Sequence, residues 1–221
     1  MLSDNSVMYR GDLTTTNNQT KKLLLKVAKE EFMEKGFAKA SLRSICKKAG
    51  VTTGALYFFF KDKEDLFGGL VREPLNKLIL IAQRHFDEEE SEIDHIIESG
   101  GEYRHETGVV PEYIDVLYSN FDAIYLVLER SQGSTYVNFD EKFIELAENH
   151  YRTLCNTYAD AKKVRRISDE MIHWVAHVHI NAFIYLIEHK IPRDQVNEQL
   201  ECMVKYLMDG WMGMFETNKK F

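Results

Sequence analysis

Glycine and proline are scarce in this chain. They number 12 and 3 among 221 residues, about 7% together where ordinary usage gives roughly 12%. So few turn-forming residues exclude the many reversals of a sandwich or barrel and point to an all-α fold. Cysteine is also sparse. Cys46, Cys155 and Cys202 are far apart and odd in number, which excludes a disulfide frame or a zinc cluster and fits a reducing compartment. No apolar run reaches the roughly 18 residues of a membrane helix, and the amino terminus has no signal-peptide core. A cytoplasmic location is therefore expected. Also missing are a phosphate loop, a dinucleotide fingerprint, a nucleophile elbow and a thiol–imidazole pair, so neither enzymatic activity nor a cofactor is expected. What the chain does have is length and apolar content, 44% hydrophobic. That is enough to bury a core without metal or disulfide support.

The net charge of −7 argues against a polyanionic partner only until it is divided along the chain. Residues 17–64 carry eleven lysines and arginines against five acids, a net of +6. Residues 65–221 carry 16 bases against 28 acids, a net of −12. A compact basic segment joined to a larger acidic one is the charge pattern of a polyanion-binding module on a separate body.

Local order within the basic segment is more specific. Residues 1–16 are polar and aperiodic and read as a flexible arm. From Thr20 the pattern is helical: Leu24, Val27, Ala28, Glu31 and Phe32 recur at three- and four-residue steps until Gly36. Ser41 can cap a short helix whose Leu42, Ile45 and Cys46 face inward, and Gly50 closes it. Thr52 can cap a third helix through Phe60, with Leu56 and Phe60 inward and Thr53, Ala55, Tyr57, Phe58 and Phe59 left to the other faces. Asp62 can cap a fourth. Two short helices about a glycine turn make a helix-turn-helix.

The stretch from Thr20 to Leu66 resembles the amino-terminal DNA-binding domain of the TetR family of transcriptional regulators. The resemblance is carried by Ala28, Phe32, Gly36, Phe37, Ser41, Leu42 and Ile45, the run Ala49-Gly50-Val51-Thr52-Thr53-Gly54-Ala55-Leu56-Tyr57, and Phe60, Lys63 and Leu66. Beyond it the chain matches the family only in length and helical content. The resemblance implies a flexible arm (1–16), a helix-turn-helix domain (17–64) and a helical effector-binding and dimerisation domain (65–221), with nine to ten helices in all. It also implies a homodimeric repressor that binds a pseudo-palindromic operator in double-stranded DNA and is released by a small, mostly apolar effector. In this scheme Thr53 bonds a base edge, Ala55 and Phe58 meet thymine methyls, and Tyr57 reaches a phosphate. Arg43 can grip either guanine or phosphate. Ser41, Thr52 and Lys63 hold phosphates, although Ser41 and Thr52 can equally be caps alone. Phe59 stands where many members carry histidine or tyrosine, and is as well suited to packing as to DNA contact.

In the acidic body, Ser168 can cap a helix to about Lys190 and Asp194 another to about Thr217. The second carries an apolar stripe of Leu200, Met203, Val204, Leu207, Trp211, Met214 and Phe215, read as a four-helix dimer interface or as closure of the monomer core. Asn138 and Glu141 resemble a capping box. Tyr103, Tyr113, Tyr118, Phe121, Tyr125, Trp174, His177, Asn181 and Tyr185 are candidates for an effector pocket, each with core packing as its alternative. Glu92-x-x-His95, Glu102-x-x-His105 and Glu170-x-x-His173, with His177 and His179 near the last, repeat a spacing used by metal-binding helical bundles. Glu92 lies in a solvated acidic run, and no metal is expected.

Overall fold

The computed structural model of the chain describes residues 7–93, 98 and 109–217, with side chains described from Asn17 onward apart from Val109, Val110, Met208, Trp211, Met212, Glu216 and Thr217. The described residues are helical with no strand. The helices are α1 (Val7–Lys39), α2 (Leu42–Ala49), α3 (Thr53–Phe59), α4 (Lys63–Ser91), α5 (Val109–Ser119), α6 (Phe121–Arg130), α7 (Asp140–Lys162), α8 (Asp169–Glu188) and α9 (Val196–Thr217). They divide into two compact units. The first takes the chain through Glu73 and adds Glu129–Val137; the second holds Pro74–Leu128 and Asn138 onward.

α1 begins at Val7, inside the stretch that the sequence marks as an arm. Its threonine and asparagine run has poor intrinsic propensity, but extending an established helix costs far less than nucleating one. At the other end Gly36 adopts φ 73°, ψ 163°. This positive φ is open to glycine and costly for other residues, and it breaks the helical path where expected.

The core of the first unit is the predicted stripe of α1 (Leu24, Ala28, Phe32) closed by Ile45, Leu56, Leu66 and Phe67, all fully buried. Phe32, Phe37 and Phe67 form an aromatic triad: Phe32 and Phe37 stack at 5.9 Å, and Phe67 stands edge-on to both at 5.0 and 5.3 Å. Tyr136, from the segment after α6, adds its ring to Phe67 at 5.6 Å.

In the second unit α7 and α8 pack through Ile144, Ala147 and Ala176. Ser168 caps α8 by accepting from the Met171 amide. The expected capping box at Asn138 does not form: Asn138 sits at φ 60°, and Phe139 precedes α7 without a side-chain cap. No described helix is long and apolar enough to cross a membrane.

Candidate nucleic-acid interface

Local chemistry fixes the geometry of α2 and α3. The Ser44 amide donates to Ser41 Oγ at 3.4 Å, starting α2, and Gly50 ends it in the left-handed region at φ 66°. The Val51 amide then returns to the Cys46 carbonyl at 3.0 Å, closing the turn. The Ala55 amide donates to Thr52 Oγ1 at 3.1 Å and opens α3. Both hydroxyls are used as acceptors and keep an O–H to donate, so capping and phosphate binding are compatible in the same side chain. At α4 the Asp65 amide donates to Asp62 Oδ1 (2.8 Å) while Asp65 Oδ2 accepts from the Lys61 amide (3.1 Å). Asp62 thus caps α4, and the Asp65 carboxylate reaches back one residue beyond the cap, to the amide of Lys61.

These caps leave one outward face. Thr53, Arg43, Tyr57 and Phe58 are exposed, Ala55 and Phe59 half-buried, and Leu56 fully buried. Tyr57 and Phe58 are 54% and 72% exposed, which is unusual for aromatic rings on a solvated surface. Lys39, Lys47 and Lys61 are also exposed. Of the DNA-contact residues expected from sequence, Ser41, Arg43, Thr52, Thr53, Tyr57 and Phe58 are thus exposed, Ala55 and Phe59 are half-buried, and Lys63 differs from expectation. Lys63 turns back into its own unit, donating from Nζ to the carbonyls of Phe37 (2.8 Å), Ala38 (3.2 Å) and Ala40 (3.3 Å) and lying 4.5 Å over the Phe37 ring. An ammonium has three N–H donors. All three have acceptors at the end of α1, so the phosphate contact expected of Lys63 gives way to a capping role.

One polar centre beneath this face was not foreseen. Glu31 lies fully buried on the apolar stripe of α1. It accepts from Lys35 Nζ (2.6 Å), Lys48 Nζ (2.7 Å) and Ser44 Oγ (3.1 Å). Burial alone would raise its pKa; the bonds from Lys35, Lys48 and Ser44 outweigh that and hold it at about 2. The network ties α1 to α2 and so sets how α2 and its turn are held. The segment after α6 is a second unforeseen part: the Thr135 amide and hydroxyl both donate to Glu64 Oε1 at 2.8 and 2.6 Å.

The acidic body arranges its candidates differently from the sequence reading. A cavity of about 50 Å³ in the second unit is lined by Leu75, Leu78, Tyr113, Leu117, Ile124, Val127, Leu128, Phe139, Asp140, Phe143, Ile180, Phe183, Ile184 and Ile187. Of the nine pocket candidates only Tyr113 lines it, and Tyr103 lies outside the described residues. Tyr118 donates to the Ile191 carbonyl (2.8 Å), and Phe121 and Tyr125 continue its ladder of rings. Trp174 and Tyr185 are 58% and 45% exposed and Asn181 is exposed. His177 pairs with His173 (3.1 Å), which faces Glu148 (2.8 Å). Apolar periodicity on α8 does not reveal which side of the helix the rest of the unit will cover.

The α9 stripe divides as well. Leu200 and Phe215 are buried in the subunit, Phe215 packing with Cys155, Ile167 and Ile172. Met203, Val204, Leu207 and Met214 are half-buried, and the Trp211 side chain is outside the description. Among the described residues no group of three or more histidine, cysteine or acidic side chains is placed to hold a metal ion. His179 Nδ1 and the Tyr151 hydroxyl share a hydrogen bond at 2.8 Å, and burial lowers the His179 pKa to about 4. His95, Glu102 and His105 fall outside the described residues.

Comparison with known proteins agrees with this layout. Residues 24–70 match the family described as bacterial regulatory proteins, tetR family. Over 69 residues the chain is 38% identical to the HTH-type transcriptional repressor BepR of Brucella suis, covering 30% of this chain and 33% of that protein. Over 49 residues it is 49% identical to the HTH-type transcriptional regulator AcrR of Shigella flexneri, covering 22% and 23%. The matched stretches therefore span a third or less of these relatives' own length. The crystal structure of NalD, the secondary repressor of the MexAB-OprM multidrug efflux pump in Pseudomonas aeruginosa, shares the fold with a TM-score of 0.52 and 20% identity, covering 86% of this chain and 96% of that one.

Proposed function

Since this chain belongs to the TetR family of bacterial regulatory proteins, we propose that it is a cytoplasmic homodimeric repressor binding a pseudo-palindromic DNA operator. The observation that carries the reading is the face of α2 and α3, where Arg43, Thr53, Tyr57 and Phe58 are exposed among lysines in a segment of net charge +6. Positive charge supplies affinity for the phosphate backbone, and the outward side chains of α3 supply contact with base edges in the major groove. Ser41 and Thr52 anchor phosphates while capping, and Tyr57 directs its hydroxyl to the backbone.

One such head buries too little surface for tight specific binding, so two must act together. Met171, Trp174, Asn181 and Tyr185 recur at steps of three, seven and four along α8, all exposed, and Tyr206 on α9 is 76% exposed. Side chains at these steps share one helix face, and this face, together with the half-buried Met203, Val204 and Leu207, is our dimer surface. A two-fold dimer places its recognition helices about 34 Å apart, one turn of DNA. The body is acidic and repels the duplex, confining contact to the basic heads.

Release by an apolar effector is the accompanying proposal, resting on the apolar cavity of the second unit. At about 50 Å³ it lies well below the roughly 300 Å³ of a small-molecule site, so an effector must select an opened form and shift the population towards it. The alternative is a DNA-binding dimer without effector. Enrichment of random duplexes on the purified chain tests the reading. Recovery of one palindromic sequence supports it, and recovery of no preferred sequence contradicts it. Release of that duplex by apolar compounds then separates the two forms of the proposal.

A further inference from the structure

Resting on that reading, we infer that this protein selects its operator through thymine methyl groups, read by Phe58 and Ala55, with guanidinium reading of guanine confined to Arg43. The sequence of α3 is Thr-Gly-Ala-Leu-Tyr-Phe-Phe. It contains no arginine, lysine, asparagine, glutamine, aspartate, glutamate or histidine. Bidentate hydrogen bonding to guanine or adenine edges is made by arginine, lysine, asparagine and glutamine, and acceptance from cytosine by the carboxylates. The reading helix therefore cannot use that code. Thr53 supplies one hydroxyl, Leu56 is buried and Gly54 has no side chain.

What α3 offers instead is apolar surface held in place. Phe58 is 72% exposed, and its ring meets the half-buried Phe59 edge-to-face at 4.9 Å and 86°. Phe59 thus backs Phe58 and limits its swing, which makes it a positioning residue. The Ala55 methyl lies one helical turn before Phe59, half-buried. In the major groove the apolar group that a base pair presents is the C5-methyl of thymine. Exposed lysines at 39, 47 and 61 and the net charge of +6 bring the duplex to this surface. Arg43, on α2, is the one guanidinium in residues 17–64.

The test removes the methyl without altering the pairing. The operator duplex recovered by selection is resynthesised with 2′-deoxyuridine replacing thymine in both half-sites. Binding by the full chain and by Phe58→Ala is then followed by fluorescence anisotropy at constant salt. A buried methyl corresponds to about a fourfold change in affinity, so one contacted methyl in each of two half-sites gives about fifteenfold. The expected result is a loss of this size for the unaltered chain and a clearly smaller loss for Phe58→Ala. Phe58 lies outside the core, and an unchanged melting profile shows that its truncation spares the fold. Equal binding of thymine and deoxyuridine duplexes by the unaltered chain overturns the inference. So does an equal loss in chain and variant, which assigns the effect to duplex shape; both outcomes leave operator binding intact. Failure of selection to enrich any duplex overturns the regulator reading itself.

Discussion

Replacing Glu31 with glutamine probes the joint between α1 and α2. The carboxylate is fully buried and held by two ammonium groups and a hydroxyl. Glutamine keeps the shape but loses the charge, and its amide N–H groups face the Lys35 or Lys48 donors. Holding the folded carboxyl at about 2 against an ordinary value of 4.5 corresponds to at most about 3 kcal/mol of linked stability. The partner lysines are 37% and 43% exposed, and solvent screening reduces this to about 1–2 kcal/mol. Because the folded pKa lies below the unfolded one, the contribution is complete above about pH 4.5 and is lost as the pH falls towards 2. The assay is urea unfolding from pH 2 to 7, with hydrogen exchange of α1 and α2 amides as the local readout. Glu31→Gln should lose about 1–2 kcal/mol at neutral pH and flatten the acid limb. Unchanged stability with an unchanged acid limb would refute the reasoning.

Three further outcomes follow from individual contacts. Lys63→Met strips three carbonyls of their donor and should destabilise the first unit by about 1–2 kcal/mol in chemical denaturation; unchanged stability with a shallower salt dependence of DNA binding would instead make Lys63 a phosphate ligand. Gly50→Ala forces a β-carbon into φ 66°, although no atom lies within 4 Å of it. The cost is therefore conformational, about 1 kcal/mol, read as a lower melting temperature without loss of helical signal. The paired substitutions Trp174→Glu and Tyr206→Glu should yield a folded monomer in sedimentation at micromolar concentration; a persistent dimer would move the interface elsewhere.

The parts that were legible in the sequence are those governed by neighbours a few residues apart. Ser41, Thr52 and Asp62 cap the helices they precede and Gly50 ends α2 in the left-handed region, because each acts on amides or carbonyls within its own turn; Gly36 breaks α1 at the expected place, but with extended positive-φ backbone in place of a left-handed cap. Phe59 was open between packing and contact, and its half-buried ring against Phe58 supports the former. The misses are long-range. Glu31 was visible as a charged residue on an apolar stripe, but its partner Lys48 comes from the next helix. Lys63 reads as an exposed base in the sequence, but the carbonyls of Phe37 and Ala38 in α1 and of Ala40 just after it hold its ammonium. Thr135, 71 residues from Glu64, carries no periodic signal at all. On α8, Trp174 and Tyr185 are candidates for a pocket by residue type alone, and both stand exposed, since a helix hydrophobic on several sides fits either burial or a partner surface.

Function rests on the same division. Short-range chemistry builds a rigid head, and the long-range Glu31, Lys63 and Thr135 contacts hold its helices to one another. The most direct test is the affinity of the purified chain for its selected duplex and for a scrambled duplex of equal composition, measured between 50 and 200 mM salt. The account predicts binding to the selected duplex at least about a thousandfold tighter. It also predicts a log–log salt slope near −0.9 per phosphate contacted. Equal affinity for both duplexes, or affinity indifferent to salt, would contradict it.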